Sequence, residues 1–171
     1  MEYVALEVKT SYSMLESLND ITKLVQKAKT LNYKYLAITD NNNMFGVPSF
    51  YHECIKNDIK PIIGITLDID NYKVILYAKN DLGYKNLIKL STIITERNIN
   101  IEEYKDNLVL VMPYRYYDKS IYDIYDTKYV GYSNILEKDV LPYLTEGSVL
   151  NVYYNSKTDV TNITKLEKAL D

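Results

Sequence analysis

The sequence predicts an α/β fold in which strands and helices alternate along the chain. Short apolar segments such as residues 35–39 lack polar alternation, which is typical of strands covered on both faces. Between these segments, apolar residues recur at helical spacing, as in Ile21, Leu24, Val25 and Ala28. Repeated strand–helix units favour parallel strands with right-handed crossovers. Such strands form either an open doubly wound sheet or a barrel, and the lack of a glycine-rich phosphate loop counts against nucleotide-binding open sheets.

The N-terminal part of the chain is predicted to contain three strands and two helices. The strands are expected at residues 3–8, 35–39 and 60–66. Asp20 is predicted to cap the first helix, because its carboxylate can accept hydrogen bonds from the free N–H groups of a first turn. The second helix is expected to open at Gly46 and Pro48, since proline is tolerated in a first turn, and to run to about Asn57.

Further strands and helices are predicted towards the C-terminus. The strands are expected at residues 73–78, 107–112, 129–132 and 149–154. Asp81 is predicted to cap a helix that extends to Ile94. Apolar residues at helical spacing predict two more helices, at residues 135–144 and 160–169. Residues 113–127 show no period, so no regular element is predicted there.

Composition limits the classes of function. The 171 residues are 47% hydrophobic, enough for the core of one domain. A net charge of −3 argues against a surface that grips nucleic-acid phosphates. Cys54 is the single cysteine, which suits a reducing compartment. The sequence shows no secretory signal and no apolar run long enough to span a bilayer, so we expect a cytoplasmic protein without membrane contact.

Several segments resemble one family. The first is residues 36–46, LAITDNNNMFG, followed by residues 59–64, IKPIIG. The second is residues 78–91, AKNDLGYKNLIKLS, and a third is the early YSML at residues 12–15. Together they resemble the polymerase-and-histidinol-phosphatase (PHP) domain of bacterial DNA polymerase III alpha subunits. The resemblance is strong through about residue 92 and thinner beyond it.

The resemblance implies a distorted seven-stranded β/α barrel, truncated or partial, that occupies residues 1–171 as one PHP-like domain of a larger polymerase. The palm, thumb and fingers of such a polymerase would lie outside these residues, so no residue here takes a polymerase role. The implied partners are the rest of the polymerase chain, DNA through other domains, and a proofreading exonuclease subunit.

In active PHP domains, histidines and a carboxylate at the strand ends hold metals that activate water against phosphate esters. The resemblance aligns the family's histidine and glutamate ligand positions with other residues in this chain. These are Ala5, Glu7, Lys9, Asn41 and Thr66. At the position of the family's motif aspartate, Asp40 is the only plausible ligand that is kept. Lys9 brings a positive charge to the place of a cation, and an ion pair with Glu7 or Asp40 could hold the pocket together instead, with little net gain in stability. The sequence therefore predicts a degenerate metal site with no metal, no cofactor and no catalytic residue.

Other candidate residues have simpler structural interpretations. His52 and Cys54 lie two positions apart on a predicted helix and would face different directions, which argues against a Cys–His nucleophile. Lys23 and Lys27 are interpreted as a solvated helix face rather than a DNA-binding patch. The tyrosines of residues 114–125 are interpreted as packing or an interdomain surface.

These observations lead to one functional hypothesis with two alternatives. The leading hypothesis is a non-catalytic PHP domain that forms a structural platform for a replicative polymerase, the parent protein being a DNA-directed DNA polymerase (a nucleotidyltransferase). The first alternative is a metal-dependent phosphoesterase or 3′–5′ proofreading exonuclease. The second is a free-standing regulatory protein derived from the same fold.

Overall fold

A six-stranded sheet with helices on one face forms the part of the chain that the computed structural model describes, residues 4–69, 72–94, 100–113, 129–132 and 149–150. The strands are β1 (Tyr35–Ile38), β2 (Lys60–Ile69), β3 (Tyr72–Ala78), β4 (Leu108–Pro113), β5 (Tyr129–Tyr132) and β6 (Val149–Leu150). The helices are α1 (Ile21–Thr30), α2 (Val47–Lys56) and α3 (Asp81–Ile93), with a 3-10 turn at Ile101–Glu103. The strands lie in the sheet in their chain order. The predicted α/β class is confirmed.

The strands are not all parallel, and the prediction of uniform parallel pairing is wrong. β1 and β2 are parallel, β3 is antiparallel to both β2 and β4, and β4, β5 and β6 are parallel. Only residues 70–71 separate β2 from β3. A parallel pair needs a crossover of about a dozen residues or more, whereas two residues suffice for a hairpin. The distance between the two predicted strands already excluded a crossover at this point.

Local sequence sets the helix starts. Asp20 caps α1 as predicted, because its carboxylate accepts the Lys23 N–H at 3.0 Å. Pro48 lies in the first turn of α2, also as predicted. The cap of α3 is Asn80 rather than Asp81, since the Asn80 side-chain oxygen accepts the Gly83 N–H at 3.0 Å. Asp81 is the first helical residue, where its negative charge still favours the positive end of the helix.

Residues 4–8 run parallel to β1 but do not form the regular strand that the sequence predicts. The Ala37 N–H donates to the Ala5 carbonyl at 3.2 Å, and the Thr39 N–H donates to the Val8 carbonyl at 2.8 Å. Between these two bonds β1 advances by two residues and the N-terminal segment by three. The extra residue is a β-bulge, which changes the faces to which the side chains point.

The bulge divides the side chains of the N-terminal segment between two clusters. Val4 and Leu6 pack in the core on the sheet face without helices, whereas Ala5 and Val8 pack with the helices. In a regular strand, Ala5, Glu7 and Lys9 would all lie on one face, because alternate side chains point the same way. The observed arrangement separates Ala5 from the other two positions.

The core lies on both faces of the sheet. All three helices contribute to the clusters on one face, through buried residues that include Val25, Phe50 and Leu87. The opposite face is buried by the strands themselves and by the N-terminal segment, through Val4, Leu6, Ala37, Ile62, Ile75, Tyr77, Val109 and Val111. None of the three helices is long and apolar enough to cross a membrane.

Candidate functional site at the strand ends

The candidate site lies where β1 and the N-terminal segment end, beside the middle of β2. The Thr66 N–H donates to the Asp40 carbonyl at 3.0 Å, and the Asn42 N–H donates to the Thr66 carbonyl at 2.8 Å. These bonds extend the parallel pairing of β1 and β2 past the end of β1. They hold Asn41 and Thr66 side by side next to Lys9.

The Lys9 ammonium occupies the centre of this site. Its Nζ donates to the Thr39 carbonyl at 2.6 Å and to the Asn41 Oδ1 at 2.6 Å. It also donates to the Thr66 hydroxyl, which in turn donates to the Thr39 carbonyl at 3.0 Å. An ammonium has three N–H donors, so these three bonds use all of them.

The Asp40 carboxylate is buried and faces the loop at residues 10–19. Its Oδ1 accepts the Thr10 N–H at 2.7 Å and the Ser13 hydroxyl at 2.6 Å. Its Oδ2 accepts the Thr10 hydroxyl at 2.6 Å. Asp40 therefore anchors the start of the loop. The sequence interpretation did not single out Thr10 or Ser13, although hydroxyl residues directly after the first predicted strand were an available signal.

Carboxylates lie near Lys9, and two of them, Glu7 and Asp40, are buried. Burial lowers the pKa of the Lys9 ammonium to about 8, although the charges of Glu7, Glu16 and Asp40 oppose that shift. Glu7 itself is buried, with 5% of its surface exposed. Lys9 is thus attracted to these carboxylates through their charges. The three hydrogen bonds of its ammonium described above are made to neutral oxygens.

A polar rim borders the site on the β2–β3 side. The Lys73 Nζ lies 3.3 Å from the Glu16 Oε1 and 3.1 Å from the Asp68 Oδ1. Burial alone would lower the Lys73 pKa, but its bonds and charge attraction to Asp68 and Glu16 raise it. Asn42 adds two hydrogen bonds to Asp68, at 2.9 and 3.0 Å. The rim thus connects the loop, the end of β1 and the hairpin.

The loop at residues 10–19 directs apolar side chains outward. Leu15 and Leu18 are fully exposed, and Met14 is 83% exposed. Phe45, in the connection between β1 and α2, is 75% exposed. Burying large apolar side chains such as these against a partner would be favourable, so they are candidates for an interaction surface. We call these four residues the apolar rim.

Internal hydrogen bonds fix the shape of this loop. The Ser17 hydroxyl and the Asn19 side-chain amide both donate to the Lys9 carbonyl at 2.9 Å. Leu15 has a φ of 66°, a left-handed conformation that branched apolar residues rarely adopt. Backbone strain of this kind is found where the surrounding structure imposes it, often at functional sites.

The donor set does not fit a catalytic metal cluster. Among the described residues, no three His, Cys, Asp or Glu side chains come together as ligands. Both oxygens of Asp40 already accept hydrogen bonds, and the Lys9 ammonium adds a positive charge. The transition metals of such a cluster are held mainly by neutral imidazoles, thiolates and carboxylates. The residues present therefore do not fit the metals that the family resemblance implies.

The remaining candidate residues lie away from this site. His52 is exposed on α2, with its ring centre 6.5 Å from that of Tyr51. Cys54 is buried on the same helix, and burial, with the charge of Glu53, raises its pKa to about 12. Lys23 is exposed on α1, as is Lys27. The tyrosine-rich residues 114–125, the predicted helices at 135–144 and 160–169, and most of the last predicted strand lie outside the described residues.

Comparison with known proteins identifies relatives of this chain. The sequence model named PHP domain matches residues 5–159. The DNA polymerase III subunit alpha of Halalkalibacterium halodurans is 39% identical over 127 residues, which cover 67% of this chain and 11% of that protein. The subunit of the same name from Staphylococcus aureus strain Mu50 is 29% identical over 181 residues, covering 97% of this chain and 16% of that protein. This chain thus spans a small part of the length of these relatives.

One solved structure is similar across nearly the whole chain. It is an amidohydrolase from Chromobacterium violaceum, with bound sulfate and no metal, at a TM-score of 0.64. The match covers 98% of this chain and 96% of that one at 9% sequence identity. At this identity the likeness concerns the fold alone.

Proposed function

Because this chain belongs to the PHP domain family, we propose that it acts as the non-catalytic PHP domain of a replicative DNA polymerase III alpha subunit. The observation that carries the proposal is the Lys9 ammonium. It lies where ligand positions of the family meet, bonded to Asn41 and Thr66 in place of a metal held by imidazoles. With only the carboxylates of Glu7 and Asp40 and no imidazole, the site has too few ligands to hold a metal that would produce a hydroxide near neutral pH.

The proposed architecture is the seven-stranded barrel of the family, with residues 4–8 as the first strand followed by β1 to β6. Two observations support it. The helices cover one face of the sheet, and the other face is buried among the strands. Val4 of the first segment belongs to the same buried cluster as Val111 of β4, as expected for a sheet that curls onto itself.

In this proposal, residues 1–171 are one domain that supports the body of a larger polymerase in the cytoplasm. Its partners are the rest of the polymerase chain, a proofreading exonuclease subunit, and DNA through other domains. The support is that the relatives are polymerase subunits of which this chain spans 11% to 16%. The apolar rim offers a surface for such contacts. The alternative of a phosphoesterase or exonuclease requires ligands that the described residues do not supply.

An activity assay tests the proposal. The 171-residue protein is incubated with manganese and either phosphate monoesters or DNA with a free 3′ end, beside a PHP domain that has an intact histidine set. We expect hydrolysis by the sibling domain and none above background by this protein. Hydrolysis that is lost in Glu7→Ala, and in an Asp40→Ala variant shown to be folded, would contradict the proposal.

A further inference from the structure

We infer that the Lys9 ammonium is a built-in cation that takes over the structural task of the lost metal, holding the ends of neighbouring strands together. The inference concerns stability and does not depend on the polymerase role. Its first support is position. Three of the family's ligand positions are 9, 41 and 66, and the side chains of the latter two meet at a single atom, the Nζ of Lys9.

The second support is connectivity. Lys9 extends from the end of the N-terminal segment and bonds the Thr39 carbonyl and Asn41 at the end of β1, and Thr66 within β2. The three acceptors lie 30, 32 and 57 residues away along the chain. A bound metal joins distant parts of a chain in the same way, through ligands from different strands.

The third support is the match between donor and acceptors. A metal needs ligands with free electron pairs, and an ammonium needs acceptors for its N–H groups. Asn41 and Thr66 supply neutral oxygens, which suit a donor of single charge. The buried carboxylates of Glu7 and Asp40 attract a positive charge at this place and offset part of the cost of burying it. The changes at positions 9, 41 and 66 therefore match one another, because an ammonium at position 9 is paired with neutral acceptors at positions 41 and 66.

Chemical rescue of a truncated lysine tests the inference. Lys9→Ala removes the ammonium. The buried Thr39 carbonyl and Thr66 hydroxyl then lose a hydrogen-bond donor, and the nearby carboxylates lose a positive charge. We expect its melting temperature to fall by roughly 5–10 °C. Propylammonium, which replaces the missing atoms, should recover part of this loss. Tetramethylammonium at equal ionic strength should not, because it has no N–H donors.

Two further variants keep the test decisive. Lys9→Met preserves most of the stem without charge or donors, and it should be destabilised like Lys9→Ala. Lys23→Ala, which removes an exposed lysine of α1, should be nearly neutral and insensitive to propylammonium. If Lys9→Met is as stable as the wild type, the lysine acts only through packing and the inference is overturned. Equal effects of the two ammonium ions on Lys9→Ala would overturn it as well.

Discussion

Among single residues, Lys9 shows how neutral oxygens can hold a partly buried charge. Its ammonium is held at a cost, since burial disfavours the charged form. The three oxygens around it and the nearby carboxylates offset part of that cost. Removing one partner of such an arrangement destabilises the fold by more than the arrangement as a whole stabilises it, because the remaining polar groups stay buried without a partner.

We predict that Lys9 titrates at about 8 in the folded protein and at about 10.5 in the unfolded chain. Between these two values the unfolded chain binds more protons, so stability due to Lys9 increases as pH rises. This pH-dependent part, which is the relief from burying a charge and is separate from the three hydrogen bonds, is complete above the unfolded pKa and is lost as pH falls through the folded pKa. The chemical shift of the Lys9 13Cε, assigned with Lys9→Met, measures the titration directly.

Urea unfolding of the wild type and Lys9→Met at about pH 7.5 and about pH 9.5 checks the sign. The difference in unfolding free energy should move in favour of the wild type at the higher pH. Groups that do not interact with Lys9 are common to both proteins and cancel in the difference, whereas Glu16 and Lys73 interact with its charge. A folded-state titration of Lys9 close to 10.5 would contradict the prediction.

Cys54 offers a second prediction for a single side chain. Burial, with the charge of Glu53, raises its pKa to about 12, so little thiolate exists at neutral pH. We expect no alkylation by iodoacetamide in native buffer and complete alkylation in urea. Mass spectrometry gives a clear answer because the chain has one cysteine. Rapid labelling of the native protein would mean that α2 does not bury this thiol.

The sequence predicts which helices and strands are present better than it predicts how the strands are paired and oriented. α1 and α2 begin where predicted, because Asp20 and Pro48 act through their own first turns. The reversal of β3 could have been predicted from the short link to β2. The bulge at residues 6–8 could not, since it depends on hydrogen bonds to β1 and leaves no pattern of its own.

The same limit applies to the site: the positions of Lys9, Asn41 and Thr66 could be predicted, whereas the attachment of Asp40 to the 10–19 loop required the structure.

The 10–19 loop carries a prediction that rests on the platform proposal. Leu15 and Leu18 are fully exposed on a loop with fixed shape, so their side chains contribute little to the domain's own core. Leu15→Ser with Leu18→Ser should change the melting temperature of the 171-residue protein by less than about 2 °C. A full-length polymerase that carries both changes should lose stability or DNA-synthesis activity.

Leu82→Ser is the matched control, because Leu82 is a leucine 55% exposed in a different element, at the start of α3. It should leave both the domain and the full-length polymerase unaffected. If the double variant behaves like Leu82→Ser in the full-length protein, the apolar rim is not the platform surface. The surface would then have to lie elsewhere, for example in residues 114–125.

For the whole molecule, the alternation of elements predicts the α/β class correctly but not the direction of every strand. Strand direction depends on the length of each connection, and the single hairpin between β2 and β3 reverses the strand that follows it. The positions of the helices on one face follow from the apolar stripes of α1, α2 and α3. Of the overall arrangement, the side of each helix that packs on the sheet is the feature most easily predicted from the sequence.

The protein as a whole is predicted to be independent of metals. Glu7 and Asp40 are too few ligands for a cluster, and the charge of Lys9 repels a second cation. Elemental analysis of the purified protein should find no stoichiometric zinc, manganese or iron, and a chelator should leave its melting curve unchanged. A PHP domain with intact histidines, purified in parallel, should contain metal and lose stability with the chelator. Anomalous scattering from a metal between residues 7, 9, 40 and 66 would show instead that the Lys9 side chain can move aside, and that the site still works as a metal site.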